Sequence, residues 1–170
     1  RNLVDNTGKP VDKQVAALQV LADRAGAPSD TATRIATALA LVAPKVAGSA
    51  SAPVVVADNS AGTPLKPMKF EDLVWLGIDA ATLQRLASWV DLLPVATPVN
   101  ANTAPREVLM AAIDGLDAGT AERIVQTRQR NAFRSLEQVN QLLTEPVKAD
   151  AARVSVSSSW FIVSGRLRLE

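Results

Sequence analysis

Gly77-Ile78-Asp79-Ala80-Ala81-Thr82 returns further along the chain as Gly115-Leu116-Asp117-Ala118-Gly119-Thr120. Each copy follows an apolar helical stretch and opens another. Gly77 and Gly115 suit a helix C-terminus that closes in the left-handed conformation. Ile78 or Leu116 then tucks between two helices, and Asp79 or Asp117 suits the N-cap of the second, where a short carboxylate accepts free backbone N–H groups. The repeat therefore predicts two helix-hairpin-helix, SAM-like units in tandem, the first over 68–94 and the second over 99–145.

Working outward from the first copy, Phe70 to Leu76 reads as a short helix. The helix capped by Asp79 turns Leu83, Leu86 and Val90 inward and ends at Leu92-Leu93-Pro94. In the second unit Thr103 is expected to cap a helix through Val108, Leu109 and Ile113, with Pro105 tolerated in its first turn. Asp117 caps the next, through Ile124 to about Arg128. Ser135 with Gln138 has the spacing of a capping box for a last helix carrying Leu136, Val139 and Leu142. Upstream, Val11, Val15, Leu18, Leu21 and Ala22 fall on one face of a helix from about Val11 to Ala25, stopped by Gly26-Ala27-Pro28. Ser29 or Asp30 can cap a second helix with Ile35, Leu39 and Val42 at the same spacing.

Between these helices and the first hairpin, Ala43 to Pro67 holds Pro44, Pro53, Pro64 and Pro67 among small residues. It reads as a loose excursion with at most one short strand at Val54-Val55-Val56. The chain ends change period. Leu3-Val4 before Asp5-Asn6-Thr7-Gly8 reads as a strand running into a turn. Val154, Val156, Phe161, Val163, Leu167 and Leu169 alternate with mostly polar neighbours, the signature of half-buried strands. The fold class is α+β, with strands at both ends and helices between. Arg1-Asn2-Leu3-Val4 starts as though mid-strand, as expected of a piece of a longer chain.

Composition narrows the chemistry. Across 170 residues, 48% are hydrophobic and 21% charged, with a formal net charge of +1, so no strong overall field draws the protein to nucleic acid or anionic membrane. The absence of His and Cys removes Ser-His-Asp and Cys-His nucleophiles and the usual zinc and iron ligands. A metal would need oxygen ligands, as calcium does. No stretch approaches the roughly 20 apolar residues of a membrane span.

Helix-hairpin-helix units often bind DNA through backbone N–H groups at the second helix, freed by a glycine pair. Here Asp79 and Asp117 stand where the second glycine would be, and their carboxylates would occupy those N–H groups and repel phosphate. Arg123, Arg128, Arg130 and Arg134 form a basic run, but Asp114, Asp117 and Glu122 lie beside it, so a solvated helical face is expected. The hairpins read as structural, with a DNA-binding module of the competence-receptor type as the alternative. No motif groups residues for catalysis. Trp75, Trp89 and Trp160 are candidate partner anchors, although each fits an apolar face and burial within the chain is expected for all three.

Val99-Asn100-Ala101-Asn102-Thr103-Ala104-Pro105 followed by Val108-Leu109 resembles the "INVNTAP..VL" signature of the K-type minor pseudopilins (GspK) of the type II secretion system. Phe70-Glu71-Asp72-Leu73 with Gly77, and Trp89-Val90-Asp91-Leu92-Leu93-Pro94, are similar to the element leading into it. Ile124-Val125 with Arg128 and Ala132-Phe133-Arg134-Ser135-Leu136 resembles "R...PF.S". Ser159-Trp160-Phe161-Ile162-Val163 resembles the closing "S.YF.V" strand, and Arg1-Asn2-Leu3-Val4 the end of "GRFNLNNL".

The resemblance implies a pilin-like sheet, here strand 1–8 and C-terminal strands 151–170, with an inserted α-helical domain over 9–150 that includes the excursion 43–67. It implies a periplasmic structural subunit, anchored by an N-terminal inner-membrane helix outside this sequence. Its expected partners are the I-type and J-type minor pseudopilins at the pseudopilus tip, and no enzyme activity is expected. The repeat and the resemblance together mark a structural motif of Gly77, Asp79, Asn100, Asn102, Thr103, Pro105, Gly115, Asp117, Phe133 and Ser135. Family members carry an acidic calcium-ligand stretch resembling "DWIDxD...GAED..Y". The corresponding Ala43 to Pro67 has Asp58 as its sole acidic residue, so no calcium site, and no other cofactor, is assigned.

Overall fold

A computed structural model describes residues 3–5, 7–43, 65–161, 163 and 165–168. The possible strand at Val54-Val55-Val56 lies outside these residues. The chain divides into two units, 1–97 and 98–170.

The first unit is a helical cluster. Helix α1 spans Asp12–Arg24, with Asp12 in its first turn and Arg24 in its last, both signs favourable to the helix dipole. Gly26 (φ 66°) turns the chain out of it, and the Ala27 N–H closes the turn on the Ala22 carbonyl at 2.9 Å. Helix α2 spans Thr31–Val42. Asp30 holds its N-cap position without a side-chain bond; instead Gln19 Oε1 of α1 accepts from the Ala32 N–H at 3.2 Å. Cross-helix capping thus replaces the local cap read from Ser29 or Asp30.

Phe70–Leu76 forms a 3₁₀ helix, the tighter geometry common in short pieces. Asp72 Oδ2 secures its start by accepting from the N–H groups of Met68 and Lys69, each at 2.9 Å. Helix α3, Ala80–Leu86, follows. Leu18, Ile35, Phe70, Leu73, Ile78, Leu83 and Leu86 pack into one buried core, with Val90 partly buried against it. Two arginines stitch the unit through backbone: Arg34 Nη2 donates to the Gly77 carbonyl at 2.8 Å, and Arg85 Nη1 to that of Gly26. At the N-terminal side, Val4 makes an isolated antiparallel bridge with Pro10.

The second unit begins with β1, Val99–Asn100, which pairs in parallel with β2, Val154–Ser155. Helices α4 (Arg106–Ala112), α5 (Ala118–Arg130) and α6 (Leu136–Asn140) form the crossover that a parallel pair requires. Leu109, Ile113, Ala121, Ile124, Phe133, Val139 and Val154 are its buried centre. Burying each of the large side chains contributes roughly 1.5–3 kcal/mol before conformational entropy is set against it.

Four expectations need correction. Thr103 does not cap α4: Asn100 O accepts from the N–H groups of Thr103 and Ala104, and this turn delays the helix until Pro105 takes the N-cap position. Ser135 and Gln138 do not form a capping box. The Ser135 hydroxyl goes to the Glu137 carboxylate, and Gln138 Oε1 accepts from the Arg134 N–H. The period-two pattern at the C-terminus yields only β2, and none of the described residues from 157 to 168 is in a strand. Extended backbone needs a neighbour's donors and acceptors, and no other strand among the described residues supplies them. Finally, Trp75 (62% exposed) and Trp160 (42%) are not buried; Trp89 is half-buried.

Among the described residues, no helix is long and apolar enough to cross a membrane.

Candidate functional site

Asn100 ends β1, and the turn from it to α4 carries Asn102, Thr103 and Pro105, the last in the N-cap position of α4. Asn100 faces its own turn: its Oδ1 accepts from the Asn102 N–H at 2.9 Å, an Asx-type bond that shapes the corner. Asn102 faces outward across the unit. Its Nδ2 donates to the Phe133 carbonyl at 2.9 Å and to the Val156 carbonyl at 2.8 Å, and its Oδ1 accepts from the Phe133 N–H at 2.8 Å. One primary amide thereby joins the loop after α5 to the segment after β2. Both ends of the side chain are determined, since oxygen meets a donor and nitrogen meets two acceptors.

Arg128, on α5, closes the same turn from the other side. Its Nη1 donates to the carbonyls of Ala101 (2.8 Å) and Ala104 (2.6 Å). Burial lowers its pKa from the ordinary arginine value, but a guanidinium keeps its charge in proteins, so the carbonyls receive charge-assisted bonds. Arg128 is therefore a clamp on the signature turn and not part of a solvated face. Arg123, Arg130 and Arg134 are exposed.

Thr103 and Pro105 are exposed, whereas the Phe133 side chain is buried. Ser135 is half-buried, and its hydroxyl is the largest cause holding the Glu137 carboxylate below its ordinary pKa.

The two repeat copies have the same local geometry. Gly77 (φ 84°) and Gly115 (φ 79°) are both left-handed. Asp79 Oδ1 accepts from the Thr82 N–H at 2.8 Å, and Asp117 Oδ1 from the Thr120 N–H at 2.9 Å. Both carboxyls are held below their ordinary pKa, Asp79 chiefly by the Thr82 hydroxyl and then its N–H, Asp117 chiefly by the Thr120 N–H and then its hydroxyl. A negative charge thus sits at each helix start, where a DNA-binding hairpin would receive phosphate.

Two anchoring residues lacked any local signal in the sequence. Arg153, 8% exposed, pairs through Nη1 with Asp114 and through Nη2 with the Ala111 carbonyl at 3.2 Å, while its Nε has no partner. Asn140 Oδ1 accepts from the Ala149 N–H at 2.8 Å. Spacing along the chain could not reveal either, because the partners are remote in sequence or are backbone atoms.

Chemically, the constellation orients backbone. Asn100, Asn102, Asp117 and Arg128 are all engaged with main-chain groups. Among the described residues, no three carboxylates gather in a way that could hold a metal ion.

Residues 99–157, the span from β1 through the Asn102 contact beyond β2, match the family model described as type II secretion system (T2SS), protein K. The type II secretion system protein K of Pseudomonas aeruginosa (strain PAO1) is 38% identical over 74 residues, which is 44% of this chain and 22% of that relative. The match therefore spans well under two thirds of the relative's length.

Proposed function

Because residues 99–157 match the type II secretion system protein K family model and a stretch of 74 residues is 38% identical to a protein K, we propose that the chain is a protein K and a non-catalytic structural subunit of the secretion pseudopilus. It would be a minor pseudopilin at the tip, assembling with I-type and J-type minor pseudopilins to initiate or cap the fibre for protein export across the outer membrane. The working compartment would be the periplasm, with an N-terminal helix of the full-length protein in the inner membrane. In this reading the C-terminal segment belongs to a pilin-like sheet and the helical units form the domain inserted into it.

The observation that carries the proposal is how the family-matched stretch uses its polar side chains. Asn100, Asn102 and Arg128 are spent on the unit's own backbone. Such a use of polar side chains suits a stiffened scaffold. The Asp79 and Asp117 caps oppose the DNA-binding alternative, because they already occupy backbone donors at the helix starts.

The test is co-elution on a sizing column with soluble I-type and J-type pseudopilins of the same organism. A stable ternary complex is the expected result. Failure to associate, together with salt-sensitive binding to a DNA duplex, would replace the proposal with the hairpin module.

A further inference from the structure

The second unit starts and finishes in a pair of parallel strands. The Val99 N–H donates to the Arg153 carbonyl at 2.8 Å, and the Ala101 N–H to the Ser155 carbonyl at 2.7 Å. The ladder gains a third rung from a side chain, the Asn102 Nδ2 bond to the Val156 carbonyl at 2.8 Å. In a parallel pair, the beginning of one strand and the end of the other lie at opposite ends of the ladder. Tension between Pro98 and Ser157 therefore pulls β1 and β2 along their own axes in opposite directions. All rungs are loaded together, in shear. Tension applied at the two strand beginnings would instead open them one at a time.

Each strand is also fastened to the helices behind it. Arg128 of α5 grips the carbonyls of Ala101 and Ala104, just beyond β1. Arg153, the residue before β2, is buried and holds Asp114 and the Ala111 carbonyl at the end of α4. Val154 itself is 1% exposed in the core. A force tending to slide the strands must break the rungs and at the same time drag these fastenings and an apolar side chain through the core.

We propose that the β1–β2 pair, with Asn102, Arg128 and Arg153, is a mechanical clamp that lets the second unit carry tension along the chain between Pro98 and Ser157 without opening. This deepens the structural-subunit reading by assigning the unit a load path, but the clamp can fail while that subunit still co-elutes with its partners, so the two tests are separable.

The chain has no cysteine, so thiol-linked DNA handles can be placed uniquely for optical-tweezers pulling of the full chain. One double variant, Thr97→Cys with Ser159→Cys, loads the pair in shear. A second, Thr97→Cys with Ala151→Cys, moves only the second handle, to the beginning of β2, and loads the pair in peeling. Forced opening reports the barrier along the pulled direction, and the shear geometry is expected to need about twofold or more force than the peeling geometry at the same loading rate. Adding Asn102→Ala is expected to lower the shear force and leave the peeling force nearly unchanged. Equal forces in the two geometries would overturn the proposal, and that comparison does not depend on the Asn102 variant folding.

Discussion

Replacing Asn102 with alanine is the sharpest perturbation of the second unit. The substitution deletes three hydrogen bonds, two to Phe133 backbone and one to Val156, without touching the apolar core. Each such bond contributes about 0.5–1.5 kcal/mol net, and more where a buried partner is stranded. The Asn102 side chain is only half-buried, so water can re-solvate some of the freed groups, and the lower part of the summed range applies. The expected loss is about 2 kcal/mol, a fall of roughly 10 °C in the midpoint of a unit this small. Asn102→Asp adds a control of equal shape. It keeps the acceptor for the Phe133 N–H but sets a carboxylate oxygen against two carbonyls, so it should destabilise at least as much as alanine. Thermal unfolding by circular dichroism gives the size, and hydrogen exchange at the Phe133 amide gives the place. Both variants within about 0.5 kcal/mol of the parent, the range of an inconsequential surface change, with the Phe133 amide still protected, would refute the reasoning.

Three further outcomes are expected. Gly77→Ala forces a left-handed alanine but meets no atom within 4 Å, so it should cost about 1 kcal/mol; Gly115→Ala also sets its Cβ 3.3 Å from Val147 Cγ2 and should cost measurably more in the same urea titration. Asp79 and Asp117 have folded pKa values below the ordinary 3.8, so their stabilisation is complete above that value and disappears as pH falls through the lower folded pKa. Acid titration of the Asp79→Asn, Asp117→Asn double variant should therefore show a shallower loss of stability below about pH 4 than the parent. Calcium and a calcium chelator should leave the unfolding midpoint unchanged, since Ala43 to Pro67 has Asp58 as its sole acidic residue where calcium favours several carboxylates; a midpoint raised by calcium would contradict this.

What the sequence disclosed was what local chemistry decides. A glycine followed by an apolar residue and an aspartate closes one helix and caps the next within a few residues, so the geometry at Asp79 and Asp117 could be read from spacing alone. The same local logic misled at Thr103, where the neighbouring Asn100 carbonyl competes for backbone donors and pushes the helix start to Pro105. It misled again at Ser135, whose hydroxyl turns to the Glu137 carboxylate. The reach of Asn102 to Phe133 and Val156 was invisible to spacing, because a side-chain amide that pairs with backbone imposes no residue type on its partners. Arg128 looked like one more charge in an exposed run, and only the position of two carbonyls above α5 distinguishes it from Arg130. For Trp75, Trp160, Phe161, Val163 and Leu167, an apolar pattern announced a surface that wants covering, not one that the described residues cover.

The central proposal is that this chain serves type II secretion as a structural component. The most direct measurement disrupts its gene in the source bacterium and follows exoproteins in medium and periplasm. The account predicts that folded exoproteins accumulate in the periplasm and disappear from the medium, with export restored by the intact gene. Unchanged export from the disrupted strain would contradict it.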